Sequence, residues 1–429
     1  MVRFPVTAHT SLYINGSFAV RTDVRVPRLP PGATALSHLR KEGYVVLENM
    51  NASEVAYARE LLFAFLEGMG RGVRREAPET WVRSRPNTYG IVWSHGVGHS
   101  RLAWFVRTRP RLLEMFRQLF DTPDLISSFE GFSWLPPVAY ESEWRLGEAW
   151  FHTDQNGLSR PGRQTIQSFT SLYDQDETTG ALVVVPRSHK RHGQVTRRVY
   201  AARPSTPADQ QFLMLPPNDP ILSKPRRPHL VRVKAGDSVL WDSRMVHCST
   251  PALHSSTDSS TDRLTPSAGE ETMQPSMVQP SMVQPSRVVV YASLAPRRLA
   301  TDAVLLARQR ALCTRVTCTH WPFEMSCLPP PAEMGEVASD PLTHVLPLHK
   351  ELVGYTQAQL DSWVNAGATA RLKERTAGAG AACPPHADAH ADDANVAGAL
   401  FSSQHPVTLA RATRSQCPRR AERRRRPYL

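Results

Sequence analysis

No stretch of this sequence approaches the roughly 18 consecutive apolar residues that a membrane-spanning helix needs. Residues 1–20 contain Arg3, His9 and Asn15, where a secretory signal peptide would need an apolar run. Hydrophobic residues make up 41% of the 429 residues, which is ordinary for a soluble globular protein. We therefore expect a cytoplasmic protein without a membrane contact, long enough to bury a real core.

Cysteine is scarce, with six residues in the whole chain and no CxxC pair. In an intracellular protein of this size, we expect these cysteines to be free thiols. Cys313, Cys318, His320 and Cys327 are close in sequence, but their spacing lacks the paired knuckles typical of zinc sites. The cysteine pattern therefore favours neither a disulfide framework nor a zinc domain.

Most of the chain also lacks a strong excess of charge. Residues 411–429 hold eight arginines and one glutamate, which is +7 of the net +12 and leaves +5 for the rest. We expect residues 367–429 to form a disordered, Arg-rich tail. A nuclear-import or nucleic-acid-binding segment and a simple solvated tail both fit this composition, so the nucleus is the alternative location.

A second unusual segment interrupts the body of the chain. Residues 252–286 are rich in Ser, Thr and Pro and contain Gln-Pro-Ser-Met-Val twice, at 274–278 and 279–283. Such a repeat cannot bury enough apolar surface to order itself. We interpret it as a loop inserted into one domain, residues 31–366, which follows an N-terminal extension of residues 1–30.

The remaining pattern predicts helices first and then many short strands. Residues 35–42 and 51–66 read as helices, the second opened by a capping-box-like Asn51 and Glu54, and another helix follows Pro110. The strands are predicted at about 125–134, 148–153, 165–173, 181–186, 229–234, 238–242, 245–249 and 287–295. This order indicates a mainly β fold with flanking helices, a double-stranded β-helix (jelly-roll, cupin-like) barrel.

The chemistry is concentrated in the segment EAWFHTDQNG, residues 148–157. His152 and Asp154 are two residues apart, so on a strand they project to the same face and can meet one metal ion. His247, in a distant predicted strand, completes a set of two imidazoles and one carboxylate. Such a facial triad binds Fe(II) and leaves three positions for a bidentate 2-oxo acid and dioxygen (O2). A lone HxD is weak evidence, because a surface hydrogen-bonded pair has the same pattern.

A 2-oxo diacid also needs a cation for its distal carboxylate, and the planar fork of arginine suits that role. Arg287 opens the strand that follows His247, once the insertion is discounted. Arg263 is the alternative, but it lies inside the insertion with no strand after it. We therefore prefer Arg287.

The sequence resembles the phytanoyl-CoA dioxygenase family of iron- and 2-oxoglutarate-dependent oxygenases over about residues 36–300. The segments that carry the likeness are LRKEGYVVLENM, FHTD, TIQSFTSLYDQDETTGALVVVPRSHK, AGDSVLWDSRMVHCS and RVVVYASLAP, in that order. The block ending in GALVVVPRSHK is far more specific than HxD alone. The insertion and the basic tail depart from the family pattern.

The resemblance implies a dioxygenase that binds Fe(II), 2-oxoglutarate and O2 and hydroxylates a small organic molecule, releasing succinate and CO2. It implies that His152, Asp154 and His247 bind the metal and that Arg287 binds the co-substrate. Ser249 would bind the same distal carboxylate, and Gln167 would face the co-substrate or the substrate. His189, also typical of the family, we interpret as structural.

Two alternatives to a small-molecule oxygenase remain open. One is an oxygenase that acts on a macromolecule recruited by the Arg-rich tail, which salt-sensitive nucleic-acid binding would reveal. The other is a catalytically silent jelly-roll binding protein, which iron-dependent succinate production would exclude. The sequence does not identify the substrate.

Overall fold

The computed structural model describes residues 11–14, 18–84, 90–135, 150–223, 227–250, 283–326 and 346–362. The chain divides into two units, Met1–Asn365 and Ala366–Leu429, and all described residues lie in the first. The predicted tail, nearly all of the predicted insertion and Arg263 lie outside the described residues, so the domain boundaries stay predictions. No described helix is long and apolar enough to cross a membrane.

The described elements are sixteen strands, seven α-helices and five short 3-10 helices. The strands are β1 (Ser11–Ile14), β2 (Phe18–Arg21), β3 (Arg28–Leu29), β4 (Tyr44–Glu48), β5 (Ile91–Val92), β6 (Leu125–Ser127), β7 (Phe132–Leu135), β8 (His152–Thr153), β9 (Ile166–Ser171), β10 (Leu182–Val184), β11 (Leu213–Met214), β12 (His229–Val231), β13 (Asp237–Asp242), β14 (His247–Ser249), β15 (Arg287–Tyr291) and β16 (Leu294–Pro296). The helices are α1 (Ala33–Glu42), α2 (Ala52–Gly68), α3 (Arg101–Arg107), α4 (Pro110–Phe120), α5 (His192–Ala202), α6 (Asp302–Thr314) and α7 (Pro347–Val353).

Two seven-stranded sheets form the centre of the fold. The major sheet has the order β3-β4-β13-β9-β15-β7-β5, and the minor sheet has the order β1-β2-β12-β10-β14-β8-β11. Pairing is antiparallel except for β3 with β4 and β2 with β12, so both sheets are mixed. The predicted jelly roll with flanking helices is therefore confirmed, as two facing sheets rather than a closed barrel.

The alternation of side chains along the strands explains why both faces of the major sheet are apolar. In β13, Val239 and Trp241 face the minor sheet, where they pack with Leu182 and Val184 of β10. Leu240 points the other way and packs with α1 and α4. A strand covered on both faces reads as a continuous apolar run, and each large side chain buried this way contributes roughly 1.5–3 kcal/mol.

Helices cover the outer faces of both sheets. Helix α2 begins at a capping box in which Asn51 accepts a hydrogen bond from the Glu54 N–H and Glu54 accepts one from the Asn51 N–H, as predicted. Its apolar face packs on Phe132 and Trp134 of the major sheet. Helix α5 covers the minor sheet, where Val195 packs in the same cluster as the β10 and β14 side chains.

The structure differs from the predicted elements in several places. The predicted strand 125–134 is two strands, β6 and β7, because β6 pairs with β16 in a separate two-stranded sheet. The predicted strand 287–295 divides in the same way, into β15 and the start of β16. Strand β11 and helices α3, α5, α6 and α7 were not predicted. Strands β2 and β3, in the predicted N-terminal extension, join the minor and the major sheet respectively.

Candidate active site

Neighbouring strands of the minor sheet bring the predicted metal ligands together. His152 in β8 and His247 in β14 are direct partners in an antiparallel pair, and Asp154 follows His152 by two residues. One ligand atom from each of the three side chains lies within 4.8 Å of the others. Among the described residues, this is the one group of His, Cys, Asp and Glu side chains that could hold a metal ion.

Backbone carbonyls orient both imidazoles towards the same point. His152 Nδ1 lies 3.1 Å from the Trp150 carbonyl oxygen, and His247 Nδ1 lies 2.9 Å from that of Met245. The two Nε2 atoms are thereby turned to Asp154, at 3.2 Å from Oδ1 for His152 and 3.1 Å from Oδ2 for His247. A hydrogen bond of this kind at the non-ligating nitrogen fixes the orientation of a metal-binding imidazole ring.

Asp154 is ionised in this environment. Burial raises the pKa of its carboxyl, but the nearby charges of His247 and His152 and their hydrogen bonds outweigh burial and hold the pKa well below its ordinary value. Gln167 in β9 donates a hydrogen bond of 2.7 Å to Asp154 Oδ2. The carboxylate is therefore both charged and fixed in orientation.

A cavity of about 460 Å³ opens onto these three side chains. Aromatic residues supply much of its wall, including Trp93, Trp150, Phe169, Phe212, Trp241 and Tyr291. The Trp150 ring stacks on His152, with centroids 4.0 Å apart. A cavity of this size with a few convergent polar groups is typical of a small-molecule site.

Arg287, at the start of β15, lies in the wall of this cavity and is only 2% exposed. Among the described residues, its Nε has no hydrogen-bond partner and no carboxylate pairs with it. Burial lowers its pKa, while Tyr291 and Cys248 act in the opposite direction. Because a buried, unpaired cation is unfavourable, this guanidinium is suited to an anion that enters the cavity.

The other predicted site residues fall into two groups. Ser249 and Gln167 line the cavity together with Arg287, although Gln167 is hydrogen-bonded to Asp154. His189 lies outside the cavity wall and packs against Gly43, whose φ of 94° and lack of a Cβ make room for the imidazole ring.

Ile91 and Trp93, in and just after β5, also line the cavity. His99 instead is buried against Phe129, with ring centroids 4.5 Å apart, and its Nε2 lies 3.0 Å from the Val316 carbonyl oxygen.

Two contributors to the cavity were missed by sequence reasoning. Glu130, between β6 and β7, lines the wall beside Gly131. The second contributor is residues 316–326, here called the C-terminal segment, which brings Cys318, Thr319 and His320 to the cavity. Neither contributor carries a sequence motif. Cys313, which is near the C-terminal segment in sequence, is exposed on α6.

An ion pair, a cation–π contact and a backbone hydrogen bond hold the C-terminal segment in place. Arg160 Nη2 lies 2.8 Å from Glu324 Oε2, and the Arg160 guanidinium lies 4.7 Å from the centre of the Trp321 ring. The Cys318 N–H donates to the Phe129 carbonyl at 3.0 Å.

The donor set fits iron(II). Two imidazole nitrogens and one carboxylate on one side of a metal leave its opposite side open, which suits iron(II) with a bidentate ligand. The unpaired Arg287 is the second observation that fits, since a 2-oxo diacid bound at the metal presents a free carboxylate. His152, Asp154 and His247 therefore form a potential iron site.

Comparison with known protein families gives one match that covers half of this chain. Residues 39–257 match the family described as phytanoyl-CoA dioxygenase (PhyH). A relative from Aspergillus versicolor, "Ava biosynthesis cluster protein O", is 25% identical over 290 residues, which cover 66% of this chain and 83% of that protein.

Similar solved structures include EctD from S. alaskensis with bound Fe and EvdO2 from Micromonospora carbonacea var. aurantiaca complexed with 2-oxoglutarate. EctD is 14% identical with a TM-score of 0.38, and the match covers 65% of this chain and 85% of EctD. EvdO2 is 15% identical with a TM-score of 0.34, and the match covers 62% of this chain and 92% of EvdO2.

Proposed function

Because this chain belongs to the phytanoyl-CoA dioxygenase family, we propose that it is an iron(II)- and 2-oxoglutarate-dependent dioxygenase that hydroxylates a small organic molecule. The observation that carries the proposal is the convergence of His152, Asp154 and His247 on one point at the floor of an aromatic cavity. The cavity volume of about 460 Å³ supports a small molecule rather than a macromolecular segment as substrate.

Each polar side chain has a distinct task in this proposal. His152, Asp154 and His247 hold the iron, and the 2.7 Å hydrogen bond from Gln167 keeps the carboxylate turned towards it. Arg287 holds the distal carboxylate of 2-oxoglutarate, and Ser249, on the same wall, donates a hydrogen bond to that carboxylate. When bound, iron and 2-oxoglutarate supply the oxidising chemistry, in which O2 is consumed, succinate and CO2 leave and the substrate gains one oxygen atom.

The aromatic wall contributes by excluding water. Trp150 covers one face of the His152 ring, and the Trp241 ring lies 5.6 Å from that of His247. A dry, low-dielectric surrounding strengthens the interaction between Arg287 and a carboxylate and protects a reactive centre from side reactions.

Iron-dependent formation of succinate from 2-oxoglutarate tests this proposal. The wild-type protein is expected to form succinate only when iron(II) and O2 are both supplied, and Asp154→Ala is expected to abolish the reaction because it removes the one anionic ligand. Asp209→Ala, at an exposed position outside the cavity wall, is the matched control and should keep wild-type turnover. Near-normal turnover in Asp154→Ala would contradict the site assignment.

A further inference from the structure

Glu130 is the one carboxyl in the described cavity wall that the proposed iron site does not use. Its Oε2 accepts hydrogen bonds from Ser128 Oγ at 2.6 Å and Ser293 Oγ at 3.0 Å. Its other oxygen, Oε1, makes no hydrogen bond with any described residue. One oxygen is therefore fixed, while the other remains available to a molecule in the cavity.

The two loops that Glu130 touches are held together without it. The Ser128 N–H donates to the Ser293 carbonyl at 2.7 Å, and the Ser293 N–H donates to Ser128 Oγ at 2.9 Å. Arg107, fully buried, donates to the backbone carbonyls of Gly98 and Glu130 and fixes the loop from the other side. A carboxyl in this position is thus not needed to join the loops, and its burial is unfavourable for folding.

Other polar atoms of the cavity wall lack partners as well. Trp93 Nε1, Thr319 Oγ1 and His320 Nε2 are buried and have no hydrogen-bond partner among the described residues. Unsatisfied buried groups of this kind are rare in folded proteins, and each one costs free energy until a partner arrives. These three residues line the same cavity as Glu130, so the wall contains several unsatisfied polar groups.

The charges of the cavity limit what that molecule can be. Among the described lining residues, Arg287 is the one permanently charged cation, and the proposed co-substrate occupies it. Nothing in that part of the wall remains to neutralise a phosphate or carboxylate of the substrate, and Glu130 would repel either. The aromatic side chains, in contrast, favour a flat ring.

We propose that Glu130 anchors the organic substrate by accepting a hydrogen bond from its N–H or O–H group, and that the substrate is a compact, ring-containing molecule without negative charge. This inference rests on the proposed function, because Arg287 is assigned to 2-oxoglutarate. It distinguishes the substrate from an acyl-coenzyme A thioester, whose phosphates are anionic.

Three indole probes that differ mainly in charge test the inference: tryptamine, tryptophol and indole-3-acetate. Their binding is measured by anaerobic calorimetry at pH 8 on wild-type protein loaded with iron(II) and 2-oxoglutarate. Tryptamine and tryptophol are expected to bind, and tryptamine at least about tenfold more tightly than indole-3-acetate. Equal affinity for tryptamine and indole-3-acetate, or no binding of tryptamine at millimolar concentrations, would overturn the inference.

The variant Glu130→Gln assigns the effect to this residue. It is expected to weaken tryptamine binding at least about tenfold, because an uncharged amide replaces the charged acceptor. Glu79→Gln, at an exposed position, should bind like the wild type. Unchanged tryptamine affinity in Glu130→Gln contradicts the inference, and the probe series in the wild type tests it even where that variant fails to fold. The visible band of the iron–2-oxoglutarate chelate, recorded in the same samples, shows separately whether the proposed function holds.

Discussion

Gln167 Nε2 donates a hydrogen bond of 2.7 Å to Asp154 Oδ2, the carboxylate oxygen that also lies 3.1 Å from His247 Nε2. The contact joins β9 of the major sheet to the metal-binding group of the minor sheet. In the proposed iron site, Gln167 would therefore act on the metal through Asp154, in addition to its place in the cavity wall.

Gln167→Ala is therefore expected to weaken iron binding about 10- to 100-fold, as is usual when a ligand loses its hydrogen-bond partner. The measurement is an anaerobic iron(II) titration of the variant and the wild type. Gln194→Ala, at an exposed position on α5, is the control and should leave the affinity unchanged. Equal iron affinities of Gln167→Ala and wild type would show that the hydrogen bond from Gln167 does not hold Asp154 in a metal-binding orientation.

Glu130 makes the stability of the protein depend on pH. Burial raises its pKa to about 7, from an ordinary value of 4.5, although Ser128, Ser293 and Arg107 act in the opposite direction. Between these two pH values the folded protein holds a proton that the unfolded chain has lost, so stability falls as the pH rises through that window. The loss amounts to at most about 3–4 kcal/mol.

Glu130→Gln removes this dependence, so the free energy of unfolding of the variant minus that of wild type should be larger at pH 8 than at pH 5, meaning that the variant gains relative stability at the higher pH. Denaturant unfolding of both proteins at the two pH values gives the difference. The free energy of unfolding of Glu79→Gln, whose carboxyl is exposed in the wild type, should change with pH as that of wild type does. Parallel profiles of Glu130→Gln and wild type would mean that Glu130 is not desolvated.

Arg160 restrains the C-terminal segment through Glu324 and Trp321. Arg160→Ala is expected to increase amide hydrogen exchange in residues 316–326, because both contacts are lost, while the sheets keep their protection. Since Thr319 and His320 lie in that segment, the affinity for tryptamine should fall as well. Arg197→Ala, at an exposed position on α5, is the control, and unchanged exchange in Arg160→Ala would exclude this restraint.

The sequence predicted those parts of the site that depend on local spacing. The i and i+2 spacing predicted that the side chains of His152 and Asp154 meet, and they do, although Asp154 lies just beyond the end of β8. The order of apolar strands placed His247 and Arg287 after them. The capping box of α2 is equally local and is confirmed.

What sequence reasoning missed depends on contacts between distant segments. Glu130 is a single acidic residue in an apolar stretch, and only the return of Ser293 beside Ser128 makes it a buried cavity residue. The C-terminal segment reaches the cavity because Arg308 of α6 binds the carbonyls of Ser127 and Pro322. The periodicity of the sequence does not indicate contacts between segments that are far apart in the chain. Helices α6 and α7 were not predicted for the same reason.

The measurement that tests the central claim most directly is an anaerobic titration of iron-loaded protein with 2-oxoglutarate. The signal is the weak charge-transfer band of the chelate at about 500 nm. The wild type is expected to develop the band, and Arg287→Ala to require at least about tenfold more 2-oxoglutarate, since the buried cation that binds the distal carboxylate is gone. Arg298→Ala, at an exposed position, should titrate like the wild type. A folded wild-type protein that develops no band, or an Arg287→Ala variant that titrates at the wild-type concentration, would contradict the account.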